Sequence, residues 1–250
     1  MKTLGIIPAR FASSRLPGKP LADIHGKPMI WHVYQGAKEA VDRLIVATDD
    51  ERIARVVRDF GGEAMMTSPD HVNGSSRCAE VISKLVDTFD VIVNIQGDEP
   101  MIEAEPIQSL LGLFSRPEVE MATLALRLPS DFGEMEGGNS VYLTVDKFQR
   151  ALYFSRQVIP YTRDVPRALW SEKTNYYRHI GMYAFRPQAL LDFSGMDEST
   201  LEQTEKLEQL RWLENGRPLH VAFTNHYGIS VDTESDLALA RKKINPSTDH

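Results

Sequence analysis

The chain has 250 residues, with 28 Lys and Arg against 35 Asp and Glu, for a formal net charge of −7. This length supplies a core for a large α/β domain, and the 42% apolar and 25% charged fractions exclude global disorder. A net-acidic chain has no general attraction to nucleic acid or anionic membrane, so any polyanion must be met by a local group of cations.

The single cysteine, Cys78, excludes an intramolecular disulfide and a multi-cysteine metal site. It fits a reducing compartment and reads as a small core residue. No apolar run reaches membrane-spanning length, so membrane insertion is not expected. The opening MKTLGIIPAR is too short for a signal-peptide core and reads as the first buried strand of a cytoplasmic protein.

In chain order, the apolar run 4–7 predicts a strand covered on both faces, closed by Pro8. A polar loop follows over 9–19. A helix is predicted over 28–40 with Pro28 in its first turn, then a strand over 44–47. Asp49 and Asp50 can cap a helix over 51–60 that Gly61 and Gly62 stop. A short strand at 63–66, a helix over 75–89 and a buried strand at 91–95 complete the alternation. That order implies a parallel sheet with helices on both faces.

After a helix over 104–114 the pattern becomes β-rich. Strands are predicted at 121–126, 141–145, 151–155 and 179–185, interrupted by a Pro- and Arg-rich loop at 159–170. A continuous helix is predicted over 204–215, ended by Gly216, then a strand at 219–223 and a last helix over 233–244. No repeat or linker marks a boundary, so one domain over 1–250 is expected, with 125–190 as its smaller β-rich portion.

Arg10, Arg15 and Lys19 lie within ten residues, with Ser13, Ser14 and Gly18 between them. A loop leaving the carboxyl end of a parallel strand is where α/β sheets bind ligands. A triphosphate would account for the cations, since guanidinium forks, an ammonium and backbone N–H groups can share its charge. A solvated basic loop is the alternative. Neither G-x-x-x-x-G-K-[ST] nor G-x-G-x-x-G occurs, which argues against a Walker-type NTPase and a dinucleotide-dependent oxidoreductase.

Val91–Ile95 leads into Gln96-Gly97-Asp98-Glu99-Pro100, which places acids at a strand mouth. Hard oxygen donors beside a phosphate site suit Mg²⁺. Asp98 is the better ligand, with Asp232 the candidate second. Asp232 precedes the last helix and could instead cap it, but Thr233 and Asp236 already form a capping pair.

With these residues in place, the chain resembles the CMP-Kdo synthetases, the 3-deoxy-manno-octulosonate cytidylyltransferases. The resemblance rests on I-I-P-A-R-F-A-S-S-R-L-P-G-K-P-L at 6–21, V-N-I-Q-G-D-E-P-M at 93–101 and A-L-Y-F-S-R at 151–156. R-H-I-G-M-Y at 178–183, L-E-Q-L-R at 207–211 and V-D-T at 231–233 extend it. It implies a nucleotide-sugar transferase (Rossmann-like) fold, a homodimer, Mg²⁺ dependence, and formation of a CMP-sugar acid and pyrophosphate from CTP and an eight-carbon sugar acid, for lipopolysaccharide synthesis. It also implies nucleotide binding by Pro8, Ala9, Arg10, Ser13, Arg15, Lys19, Gly74, Ser75 and Arg77. Asp98 and Asp232 would hold the metal and act in catalysis with Lys19. The sugar acid would meet Gln96, Arg156, His179, Tyr183, Glu208 and Gln209.

Two departures stand out. The family reads H-x-S-G-T-[DE]-R where this chain has His71-Val72-Asn73-Gly74-Ser75-Ser76-Arg77, and Tyr142 stands where a Lys is common. Loss of that cation could suit an 8-amino-8-deoxy analogue of the sugar, or it could be neutral change. A nine-carbon sialic-type acceptor and a non-catalytic nucleotide-binding module are the other readings.

Overall fold

A computed structural model of the chain describes residues 1–12, 15–129, 140–226 and 228–244. Two compact units emerge: 1–108 together with 227–250, and 109–226.

The first unit is built on four parallel strands. β1 (Thr3–Ala9) is followed by the two-residue strands β2 (Asp23–Ile24) and β3 (Lys27–Pro28), which form a small antiparallel ribbon. Then come α1 (Met29–Ala37), β4 (Arg43–Thr48), α2 (Glu51–Asp59), β5 (Glu63–Met66), α3 (Gly74–Lys84) and β6 (Val91–Asn94). β1 pairs with β4 on one side and β6 on the other, and β5 extends the sheet beyond β4. Every residue of β6 is buried, as a strand covered on both faces requires.

The winding runs from β1 outward to β4 and β5, then returns across β1 to β6. Right-handed crossovers therefore put α1 and α2 on one face and α3 on the other. The reversal makes the carboxyl ends of β1 and β6 a topological switch point, the usual ligand crevice of such sheets. The last helix of this unit, α8 (Glu234–Lys243), packs Leu237 and Ala240 against Ile24, Met29 and Val231.

The second unit opens on α4 (Ala104–Gly112), which straddles the division. Its sheet contains β7 (Met121–Arg127), β8 (Tyr142–Val145), β9 (Ala151–Ser155), β10 (Tyr177–Phe185) and β11 (His220–Thr224). β10 is antiparallel to β7 and β8, β9 is antiparallel to β8, and β11 is parallel to β7. The remaining helices are α5 (Pro187–Gly195), α6 (Thr200–Glu205) and α7 (Leu210–Glu214).

Three local expectations are corrected. Pro8 lies inside β1 rather than closing it. Ile6 O accepts from Ile95 N, so alternation points the ring nitrogen of Pro8 toward β6, where the ladder has already ended at Asn94. The helix predicted over 75–89 stops at Lys84. Val86 is fully exposed and Asp87 is drawn to Arg43, so no apolar stripe holds 85–88 in the helix.

The helix predicted over 204–215 is two helices, broken at Lys206 with φ 56°. Glu202 and Arg211 form a buried ion pair nine residues apart. On an unbroken helix nine steps of about 100° would set them on opposite faces. The break brings them together.

Candidate active site

At the switch point the loop after β1 closes on itself, with Gly18 N–H donating to Phe11 O at 3.0 Å and Lys19 N–H to Leu16 O at 3.1 Å. Gly18 has φ 69°, a conformation that favours glycine, and a side chain there would press on the Phe11 ring. A single turn of 3-10 helix over Lys19–Leu21 then aims the Lys19 side chain back toward the strand ends.

Lys19 Nζ donates to Asp98 Oδ2 at 2.8 Å and to Asp232 Oδ1 at 3.1 Å. Arg15 Nη2 lies 3.1 Å from Asp232 Oδ2. Lys19 retains 15% exposure, and Asp98 and Asp232 retain 25% and 30%. Two carboxylates far apart in sequence thus converge on one ammonium.

The backbone enforces this convergence. Val231 N–H donates to Asp98 O at 2.8 Å, tying the two aspartate loops together. A Cβ at Gly97 would sit 2.6 Å from Pro8 O, so only glycine lets the Gln96–Asp98 turn lie this close to β1. The capping box of Thr233 and Asp236 forms, and the Asp232 side chain is left for the cleft.

These groups border a cleft of about 410 Å³ within the first unit. It is lined by Pro8, Ala9, Arg10, Arg15 and Lys19 from the end of β1 and its loop, by Gln96, Gly97, Asp98 and Asp232, and by His71, Val72, Asn73, Gly74 and Arg77 around the start of α3. Ser13 lies outside the described residues. Ser75 is buried, with its hydroxyl accepting from Asn94 Nδ2 at 3.3 Å, and it does not line the cleft.

Arg77 is 3% exposed and held by Asp49 at 2.8 Å and Thr67 at 2.6 Å. His71 also lines the cleft, a position to which the motif assigns no role. It contacts the Ser76 hydroxyl through Nδ1 and Glu80 through Nε2. Burial alone would raise the Glu80 carboxyl, but hydrogen bonds from Lys84, His71 and Ser68 N–H outweigh it and hold the group down at about 2. Ser76 donates to Asn73 O at 3.0 Å, so the departure at this position is absorbed in the cap of α3.

Asp98 and Asp232 are hard oxygen donors already sharing one cation. Among the described residues no group of three or more His, Cys, Asp or Glu forms a metal cage. Two carboxylates completed by water and ligand phosphates are the donor set Mg²⁺ commonly takes, so the residues fit that ion.

The second unit gathers His179, Tyr183 and Gln209. The Tyr183 hydroxyl donates to Gln209 Oε1 at 3.0 Å, and the His179 and Tyr183 ring centroids are 5.6 Å apart. Burial, with the Glu208 charge adding to it, pushes the Tyr183 phenol well up. Burial pushes the His179 imidazole down to about 3. His179 Nε2 lies 2.8 Å from Thr123 Oγ1, and the carbonyls of Met182 and Ile180 lie within hydrogen-bond reach of the same hydroxyl. Arg156 sits apart from this group, donating from Nε to Glu205 O at 2.7 Å and from Nη2 to Lys206 O at the end of α6. Tyr142 is 2% exposed, packed with Leu128, Trp170 and Tyr176.

A family model described as cytidylyltransferase matches residues 4–221. A 3-deoxy-manno-octulosonate cytidylyltransferase from Porphyromonas gingivalis is 48% identical over 241 residues, covering 96% of this chain and 95% of that protein. One from Fusobacterium nucleatum is 48% identical over 239 residues, covering 95% and 94%. The solved structure of a CMP:2-keto-3-deoxy-manno-octonic acid synthetase complexed with CTP superposes with TM-score 0.88 at 41% identity, covering 97% of this chain and 98% of that one. With the family model spanning most of its length and these relatives nearly all of it, the chain belongs to the cytidylyltransferase family.

Proposed function

We propose that this chain transfers the cytidylyl group of CTP to the anomeric hydroxyl of a Kdo-type eight-carbon sugar acid, releasing pyrophosphate, in the cytoplasm and for lipopolysaccharide synthesis. The observation that carries the reading is the Lys19 ammonium bridging Asp98 and Asp232 at the switch point of a cytidylyltransferase-family chain.

Arg10, Arg15 and Lys19 face the cleft from one loop and take the triphosphate, with Ser13 joining them by resemblance. The reaction is an in-line displacement at the α-phosphorus. Such transfers need positioning and charge stabilisation more than covalent participation by the protein. Asp98 and Asp232 would hold Mg²⁺, which supplies charge neutralisation on the phosphates. Lys19 then exchanges its carboxylate partners for phosphate oxygens. Pro8, Ala9, Gly74 and Arg77 shape the nucleotide wall, and Ser75, buried against Asn94, backs it without lining the cleft. Gln96, Arg156, His179, Tyr183, Glu208 and Gln209 serve the sugar acid, and 125–190 serves a homodimer contact.

One observation favours the 8-amino sugar as the preferred acceptor. Position 142 carries no cation, and its phenol is folded into an apolar cluster. An ammonium on the substrate would meet no like charge from that residue.

Pyrophosphate release is the test, with each of four nucleoside triphosphates crossed with Kdo, its 8-amino analogue and a sialic acid, with and without a chelator. The expected result is turnover with CTP and an eight-carbon acid only, abolished by chelation and reduced at least 100-fold, by order of magnitude, in Asp98→Asn. Turnover with a sialic acid alone, or none with any acceptor, would overturn the reading. A higher kcat/KM with Kdo than with the amino analogue would reject the amino-sugar preference.

A further inference from the structure

We infer that Asp236 is a positioning residue for Asp232, clamping the backbone that aims the Asp232 carboxylate into the cleft, in addition to capping α8. The inference rests on the reading of Asp232 as a metal ligand.

Three consecutive N–H groups around Asp232 are tied down. Val231 N–H donates to Asp98 O at 2.8 Å. Asp232 N–H donates to Asp236 Oδ2 at 3.1 Å, and Thr233 N–H donates to the same oxygen at 2.9 Å. The Thr233 hydroxyl donates to it as well, at 2.8 Å. A capping box needs only the Asp236 N–H, which donates to the Thr233 hydroxyl at 3.3 Å, and the Thr233 N–H bond to the Asp236 carboxylate. The extra bond from Asp232 N–H goes beyond it and fixes the peptide on the amino side of Asp232. The Asp232 carboxylate is then left with only its own side-chain torsions, and Lys19 and Arg15 meet it from the nucleotide loop. Partners that orient a ligating carboxylate from behind act on metal affinity although they touch no metal.

Manganese binding in the presence of CTP, followed by electron paramagnetic resonance, tests this without turnover. Asp236→Ala is expected to weaken Mn²⁺ by about 10–100-fold. Thr233→Val removes the hydroxyl half of the cap but keeps the Asp232 clamp, and is expected to hold Mn²⁺ within about twofold of the parent while losing similar thermal stability. Equal Mn²⁺ affinities for the two variants would reduce Asp236 to a helix cap and overturn the inference. If Asp236→Ala does not fold, Asp236→Leu, which keeps the side-chain volume and has no acceptor, replaces it: weaker Mn²⁺ binding than in Thr233→Val supports the clamp, and equal binding overturns it. Asp232→Asn separates the two levels. Full Mn²⁺ affinity there removes the ligand reading itself, whereas loss there with no loss in the Asp236 variants removes only the clamp.

Discussion

Lys19→Met keeps the aliphatic stem and removes the ammonium that Asp98 and Asp232 share. Hydrogen bonds to charged groups contribute about 1.5–3 kcal/mol each. Here both carboxylates keep a quarter or more of their exposure, and Asp232 keeps Arg15, so hydration and screening recover much of the loss. A net destabilisation of about 1–2 kcal/mol is expected. At about 2–4 °C per kcal/mol for a chain of this size, the melting temperature should fall by only a few degrees. The effect on catalysis should be far larger, because a preorganised donor aimed at developing phosphate charge lowers the barrier by about 2.7–4 kcal/mol. A continuous pyrophosphate assay should show kcat down about 100- to 1,000-fold, with calorimetry showing a nearly native melt. The same variant should bind Mn²⁺ more tightly without CTP, since no ammonium competes for the carboxylates. A kcat close to the parent value, or a collapse in stability that accounts for the lost activity, would refute this account of Lys19.

His179 sits at about 3 in the folded protein, below its ordinary value of 6.5, so the folded state binds fewer protons than the unfolded chain between those limits. Its contribution to stability is fully present above pH 6.5 and is lost as pH falls from there toward 3. His179→Asn should therefore gain stability relative to the parent across that window, as measured by urea midpoints from pH 7 to 4; a pH-independent difference would reject the neutral ring. Arg211→Met leaves the Glu202 carboxylate, 10% exposed, without its fork, and should cost about 3–5 kcal/mol in chemical denaturation. A loss below about 1 kcal/mol would show that the pair does not hold the break at Lys206.

Much of the first unit is legible in the chain because a parallel strand covered on both faces must be apolar at successive positions. The runs at 4–7, 44–47 and 91–95 announced β1, β4 and β6 for that reason. Local capping was equally readable: Asp50 caps α2, and Thr233 with Asp236 caps α8, because these bonds close within a few residues. Motifs singled out Lys19, Asp98 and Asp232 one at a time. Their meeting spans separations of 79 and 213 residues, which no periodicity encodes; the return of β6 beside β1 and the bond from Val231 to Asp98 O bring them together. The same limit explains the helix expected over 204–215. Its apolar spacing fitted a continuous helix, but the buried pairing of Glu202 with Arg211 requires the chain to turn. Short-range hydrogen bonds and two-sided burial are written locally in the sequence. Convergence of charges and breaks made for a buried ion pair exist only once distant segments are packed together.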